Sequence, residues 1–449
     1  MRTYELKKEP GLPLYEALYR AIREDILSGR LAPGEKLPSK RALAANLKLG
    51  KTTVEAAYAQ LTEEGYIFPR QRRGFFVEDI APGTCAAQPT PVVTPPPPSV
   101  PMADLTGNGT GQFPFSTWTR LQREVILDYG QALLSPMDAR GAPALRQAIA
   151  RHLADFRGMS VNPDHILVGA GTDFLYNLLI QLLGQDRIYG VEDPGYLKIR
   201  KIYAAGGVKC QPIPMDSQGI RPECIGSASV LHISPGHHFP TGIVTPVARR
   251  RELLDWARRQ EGWIIEDDYD TEFRFRGRPI APMQAMDSQR VIYMNTFSKT
   301  LSPSIRISYM VLPPQLMLRF REKLGFYGCT VACFEQYTLA RFLEKGFFEK
   351  HINRMRKFYR ARRNRVIALL ESCPVADKLT IQEQDAGLHF LLRVNTRLTD
   401  AALREYLEGK GIRVQALSQF YTQAKDLHCL VVNYSGVDED LLKKALEAL

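Results

Sequence analysis

Apolar residues recur every four positions near the start of the chain, at Leu14, Leu18, Ile22 and Ile26, and predict one face of a helix. The stretch GRLAPGEKLP at 29–38 breaks that period and predicts a loop. Ser39 then stands where a cap belongs, ahead of a second helix that turns Leu43, Ala44 and Leu47 inward. A third helix is expected near Thr52, because Thr52-Thr53-Val54-Glu55 has the S/T-x-x-E form of a capping box. Gly65 suits its left-handed end. Beyond it, YIFPRQRRGFFVED alternates around Arg70-Gln71-Arg72-Arg73-Gly74, which predicts two short strands with a basic tip. Three helices and a basic hairpin make a winged helix-turn-helix.

Beyond Asp104 helical periods alternate with short apolar runs, the pattern of an α/β layered fold. A helix is predicted over Ala144–Phe156 and a strand over Ile166–Val168, followed by GAGTDFLYNLLIQLLG. Between the two patterns, residues 81–101 include four consecutive prolines, Pro95 to Pro98. That composition favours extended polyproline II and a semi-rigid spacer. The expected division is a winged helix at 1–79, a linker at 80–103 and a large domain at 104–449.

Composition narrows the class. A chain of 449 residues with 45% hydrophobic content has material for more than one core. Its seven cysteines are scattered without a C-x-x-C, which reads as reduced thiols in a cytosol. No apolar h-region opens the chain and no run is long enough to span a bilayer, so a soluble intracellular protein without a membrane partner is expected. The formal charge of +11 favours an anionic partner. Between Lys36 and Arg73, eight Lys/Arg face three Glu, placed before helix two, at the start of helix three and on the hairpin. Those are the places where such a fold meets DNA phosphates and base edges. Ser39, Arg41, Lys51, Thr52, Thr53, Arg70, Arg72 and Arg73 are the candidate DNA contacts. Gly50-Lys51-Thr52-Thr53 imitates the end of a P-loop, but Ala45 stands where that motif needs glycine.

The segment 12–77 resembles the GntR-type winged helix, most specifically in LPSKRALA and TTVEAAYAQL. That family commonly has Ser-Arg where this chain has Gly50-Lys51, so the charge is kept and the bidentate fork is lost.

In the large domain, several strand ends run into reactive or ligand-binding residues. Gly169-Ala170-Gly171-Thr172 joins a strand to a helix and suits a phosphate cradle, though Phe174 stands where a dinucleotide fingerprint has its third glycine. GVEDPGY brings Tyr196 out of a turn, WIIEDDYD runs from a buried strand into acids, and VIYMNTFSKTL leads through hydroxyls to Lys299. In open sheets, ligands sit at the carboxyl ends of strands. A lysine, a carboxylate, hydroxyls, glycines and an aromatic together suit pyridoxal phosphate, with Lys299 as the amine of a Schiff base. Desolvation, with Arg306 nearby, is expected to lower the Lys299 pKa so that the neutral amine can attack. His237 and His238 have no third His or Cys at metal spacing and read as pocket or loop residues, so no metal is expected.

This domain resembles the fold-type I aminotransferases, and the whole chain resembles the MocR family of GntR-type regulators. EDPGY, HFPTG, EDDYDTEFRF, TFSKTLSPSIR, AGLHFLL and GIRV carry the resemblance over 12–440. It implies a large α/β domain with a small C-terminal α/β subdomain, and a homodimer. It assigns Lys299 as the Schiff-base lysine and Thr296, Ser298 and Arg306 to the phosphate end, with the Gly169–Thr172 loop. Asp267 would meet the pyridine nitrogen, Tyr269 the ring oxygen and Tyr196 the ring face; a one-residue strand shift would put Asp268 in place of Asp267. The chain departs from the family at the phosphate loop, which lacks the usual Gln-Gln, and at His238, where Gln is common. Its last strand, LHCLVVNYSGV, lacks the arginine with which aminotransferases hold a substrate carboxylate. Lys198 and Arg413 are the nearest basic substitutes in sequence. The expected function is a DNA-binding regulator whose pocket senses an amine, an amino acid or pyridoxal phosphate. The alternative is an active aminotransferase.

Overall fold

The computed structural model describes residue 4 and residues 13–80, 102–107, 109, 112–275, 280–423 and 425–449. It divides into two compact units, Met1–Pro98 and Ser99–Leu449. The proline-rich stretch expected to be polyproline II lies outside the described residues.

In the first unit, α1 (Leu14–Leu27) buries Leu18, Tyr19, Ile22 and Ile26. They share one core with Val54, Ala57, Tyr58 and Leu61 of α3 (Lys51–Glu63). The four-residue stripe therefore works as predicted, with Leu14 half-buried at its open end. α2 (Lys40–Leu47) starts at Ser39, whose side chain accepts a hydrogen bond from the Ala42 N–H at 3.2 Å. The predicted capping box at Thr52 does not form. Gly50, in extended conformation, takes the cap position and Lys51 is already helical. Thr52 and Thr53 thus lie inside the first turn, and Glu55 turns to Lys51 at 3.3 Å. The helix ends at Gly65 with φ +77°, as expected. β1 (Ile67–Arg70) and β2 (Gly74–Val77) pair antiparallel, Ile67 against Val77 and Arg70 against Gly74. Phe75 meets Tyr58 edge-on at 5.2 Å, which seats the wing on α3.

The second unit is built on an eight-stranded sheet. Its strands are β3 (Ile166–Gly169), β4 (Ile188–Asp193), β5 (Lys209–Asp216), β6 (Gly219–Ile220), β7 (Val230–Ile233), β8 (Trp263–Asp267), β9 (Val291–Thr296) and β10 (Ser308–Val311). Their spatial order is β3-β10-β9-β8-β7-β4-β5-β6. β9, β8, β7, β4 and β5 run parallel, while β10 is antiparallel to both its neighbours. Every residue of β8 and β9 is buried, which explains why both read as continuous apolar runs rather than alternating ones. Helices α4 (Pro143–Arg157), α5 (Thr172–Leu183), α6 (Leu197–Ala205) and α7 (Val247–Arg259) contribute to three separate apolar clusters built on this sheet.

A smaller C-terminal layer follows the long α8 (Phe347–Glu371). Its four antiparallel strands are β11 (Leu379–Gln382), β12 (His389–Val394), β13 (Gln415–Ala416) and β14 (Cys429–Asn433), in the order β11-β12-β14-β13. α9 (Asp400–Gly409) and α10 (Glu439–Glu447) bury Leu403, Leu407, Leu442 and Leu446 in its core.

Loss of the Ser39 cap leaves one helix-terminal N–H without its protein acceptor. Ser39→Ala should destabilise the first unit by about 1 kcal/mol. The measurement is denaturant unfolding followed by circular dichroism.

Candidate cofactor cleft and nucleic-acid interface

A cleft of about 450 Å³ opens at the carboxyl ends of the parallel strands. Asp267, the last residue of β8, is buried there. The Tyr176 hydroxyl on α5 donates to its Oδ2 at 2.5 Å, and His232 Nε2 lies 3.4 Å from the same oxygen. Its Oδ1 is buried with no hydrogen-bond partner among the described residues. An orphaned carboxylate oxygen costs free energy unless something donates to it. A protonated pyridine nitrogen is such a donor.

Asp268 faces elsewhere. Arg157 of α4 donates to its Oδ2, and the Tyr293 hydroxyl donates to the same oxygen at 2.6 Å. Successive residues of a strand point to opposite faces. Of the two adjacent acids, Asp267 therefore lines the cleft and Asp268 is tied to a buried ion pair.

Lys299 lies in a single helical turn, Phe297–Thr300, directly after β9. That turn is fixed by Thr296, whose Oγ1 accepts from the Ser298 N–H at 3.1 Å and from the Ser308 hydroxyl at 2.8 Å. Burial pushes the Lys299 pKa below that of an ordinary lysine, while Asp270 and Asp267 pull it back up. Arg306 is not among the causes, contrary to the sequence-based expectation. Its exposed guanidinium instead donates to the Ala170 carbonyl at 3.2 Å and sits 3.5 Å from Asp173.

Thr172, Tyr196, Asp267 and Tyr269 line the cleft, as do Thr296, Ser298, Lys299 and Arg306. Gly169, Ala170 and Gly171 do not line it, and their backbone is partly committed. The Ala170 N–H donates to Thr330 Oγ1 at 3.0 Å and the Gly171 N–H to the Gly169 carbonyl at 2.8 Å. The anion-binding capacity thus falls to the first turn of α5, starting at Thr172, with Arg306 beside it. The backbone favours glycine at 171, and the missing side chain leaves room for Arg306. The φ of Gly171 is +88°, and a Cβ there would stand 2.6 Å from the Arg306 guanidinium carbon.

His237 is buried among polar partners. Its Nδ1 lies 3.0 Å from Asp270 Oδ1, and its ring centroid is 5.0 Å from that of His389 on β12. The three residues bring one donor atom each within 4.8 Å of one another. Each is also engaged by hydrogen bonds, since His389 Nε2 donates to the Pro240 carbonyl at 3.1 Å. A carbonyl only accepts, so that nitrogen carries the proton and Nδ1 of His389 is a bare acceptor. Tyr269 places its hydroxyl 3.4 Å from His237 Nδ1. Tyr196 is 45% exposed, with its ring edge-on to Phe239 at 5.8 Å. Lys198 lines the cleft but is paired with Asp173 at 2.7 Å. Arg413 does not line it and lies near Glu408.

The candidate DNA contacts lie on the first unit. Arg41, Lys51, Thr52, Arg70, Arg72 and Arg73 are exposed, Thr53 is half-buried, and Ser39 is exposed while it caps α2. Arg70 stacks over Phe68 and Phe76, with its guanidinium 4.8 Å from the second ring.

Residues 14–77 match the family model described as bacterial regulatory proteins, gntR family, and residues 104–449 match aminotransferase class I and II. The chain is 36% identical to the uncharacterized HTH-type transcriptional regulator YdeL of Bacillus subtilis, over 99% of this chain and 97% of that one. It is 32% identical to the probable rhizopine catabolism regulatory protein MocR of Rhizobium meliloti, covering 99% and 94%. The chain belongs to the MocR-like family of GntR-type transcriptional regulators. An archaeal alanine:glyoxylate aminotransferase shares its large-domain fold, with a TM-score of 0.69 at 22% identity, over 78% of this chain and 91% of that one.

In this MocR-like chain, sequence reasoning missed Tyr176, Asp270 and His389. All three lie inside quoted segments, Tyr176 in GAGTDFLYNLLIQLLG, Asp270 in EDDYDTEFRF and His389 in AGLHFLL, but none was singled out. It also missed Glu192 behind the cleft. Burial pushes that carboxyl up to about 8, and the Ser234 N–H donates to it at 3.2 Å. His238 Nε2 lies 3.4 Å away and is held neutral by burial, its pKa pushed down to about 3. The raised pKa leaves Glu192 protonated at neutral pH, with His238 Nε2 close by and without a hydrogen-bond partner among the described residues.

That assignment fixes a sign. The unfolded carboxyl ionises above about 4.5 whereas the folded one keeps its proton to about 8. Stability from this group is therefore lost as pH rises through that window, by at most about 1.4 kcal/mol per unit. Glu192→Gln keeps an acceptor and a donor in place. Relative to the parent chain, it should gain stability progressively across the window, measured by urea unfolding at its two ends.

Proposed function

We propose that this transcriptional regulator binds pyridoxal phosphate at Lys299 and that an amine, an amino acid or pyridoxal phosphate itself, acting at the cleft, changes its affinity for DNA. One observation carries the reading. A lysine of lowered pKa shares a cleft with a buried carboxylate that has an unpartnered oxygen. When bound, pyridoxal phosphate supplies an aldehyde that condenses with primary amines. The Lys299 amine would hold it, and its lowered pKa increases the neutral fraction that can attack. Asp267 Oδ1 would accept from the ring nitrogen. Arg306, Ser298, Thr296 and the first turn of α5 would hold the phosphate, with Gly169, Ala170 and Gly171 shaping the approach. Tyr269 would reach the ring oxygen and Tyr196 the ring face.

Sensing is favoured over turnover by what the cleft offers a carboxylate. Among the described residues lining it, Arg306 is the one guanidinium, and it stands at the phosphate end. Lys198 is a point charge already shared with Asp173. Transamination needs the substrate held in one orientation, which a lysine fixes less well than a planar fork.

We assign DNA recognition to the winged helix, through Arg41, Lys51, Thr52 and Thr53 in or near the groove and Arg70, Arg72 and Arg73 on the wing. Ser39 acts by fixing the start of α2. The chain functions as a cytoplasmic homodimer in this reading. Large apolar side chains left open on the second unit, Phe115, Leu127 and Phe326 among them, supply a surface for a second copy.

Two outcomes test the proposal. Lys299→Ala should abolish the adduct that borohydride traps from pyridoxal phosphate while leaving thermal unfolding intact. A covalent pyridoxyl-lysine surviving elsewhere in the cleft would overturn the assignment. DNA affinity should shift on titration with pyridoxal phosphate or with a panel of amines and amino acids. Rapid multiple turnover with a keto acid and no change in DNA affinity would instead make the chain a working aminotransferase.

A further inference from the structure

The positive charge of this protein is not concentrated where its DNA-binding module is. Residues 99–449 hold 45 Lys/Arg against 37 Asp/Glu, a net +8 of the chain's +11. Much of that excess sits on one element. α8 (Phe347–Glu371) carries eight Lys/Arg and two Glu. Most of its arginines have structural work. Arg356 and Arg360 donate to the carbonyls of Glu272 and Phe275. Arg362 donates to those of Ser435 and Val437, and Arg363 to that of Gln384. Arg365 pairs with Glu439.

Lys350, Arg354 and Lys357 remain. All three are exposed and none has an acidic partner among the described residues. Their spacing, i, i+4 and i+7, puts them on one stripe of the helix. Between Lys350 and Asn364 the other exposed positions of that stripe are Asn353, Ala361 and Asn364, so this part of it contains no acid; the one acid further along it is Glu371, at the last turn. A solubilising helix face mixes signs, and another arginine-rich helix of the same unit does so. On Val247–Arg259, Arg249 pairs with Asp216 and Glu252, and Arg258 with Asp255 and Asp287. Along α8 the three cations span about 10 Å. That length matches about three successive phosphate-to-phosphate steps along the axis of one DNA strand. The asparagines can donate to phosphate oxygens without adding charge.

We infer that the exposed stripe Lys350–Arg354–Lys357 is a second DNA-contacting surface, which binds the phosphate backbone without reading sequence. It rests on the winged helix being the primary DNA site, and goes beyond it by giving the large domain its own share of the phosphates.

The test uses the full chain and a long random-sequence duplex, with affinity followed over increasing salt by fluorescence anisotropy. The variant Lys350→Gln/Arg354→Gln/Lys357→Gln should weaken binding and flatten the slope of log K against log salt by about 0.9 for each phosphate no longer neutralised. Lys443→Gln/Lys444→Gln, which removes two exposed charges from α10, should leave the slope unchanged. Arg41→Ala/Lys51→Ala tests the winged helix separately. A normal slope in the α8 variant beside a weakened Arg41/Lys51 variant overturns the inference and leaves the module's role standing. An equal effect of the α10 control overturns it too, because bulk charge would then explain the weaker binding. Full binding by the Arg41/Lys51 variant would remove the premise instead.

Discussion

The cleft depends on the direction of one buried carboxylate. β8 is fully enclosed, so its last residues have no solvent to turn to, and alternation along the strand decides which acid faces which way. Asp267 meets Tyr176 and an open cavity, whereas Asp268 meets Arg157 and Tyr293. Parallel pairing with β9 sets Asp267 beside Met294, and the same strand then delivers Lys299 within one turn. Carboxylate and lysine are thus positioned by adjacent strands in register. A slip of one residue would bury the wrong acid in each place and leave two charges uncompensated, which the low dielectric of the interior penalises heavily.

This explains why the heart of the site was legible from sequence. Lys299, Thr296 and Ser298 lie in one contiguous segment at a strand end, and Asp267 closes the neighbouring strand. Local patterns also carried the winged helix, where each helix exposes a short, regular apolar stripe. The failures were of two kinds. At α3 the S/T-x-x-E match was real, yet Gly50 in extended conformation took the cap two residues earlier. No local rule ranks two neighbouring cap candidates when one of them is glycine. The trio of His237, Asp270 and His389 draws on two different sheets, and only the packing of the small layer against the large one brings them together. Spacing along the chain carries no trace of that.

The phosphate end shows a subtler difference between motif and structure. A glycine-rich loop suggests free backbone amides, but here two of them are spent inside the protein. What the glycines provide is room. Gly171 lets a guanidinium lie against the backbone where any side chain would displace it. The cationic contribution of Arg306 and the missing Cβ at 171 are therefore one feature, and neither works without the other.

Glu192 carries a consequence of its own. A carboxyl that holds its proton at neutral pH vibrates as a carbonyl, unlike a solvated carboxylate. Held by the Ser234 N–H beside a neutral imidazole and sealed behind the cleft, it is an infrared reporter built into the fold. Its frequency would register any change in the field around Asp267 or Lys299, with no label attached.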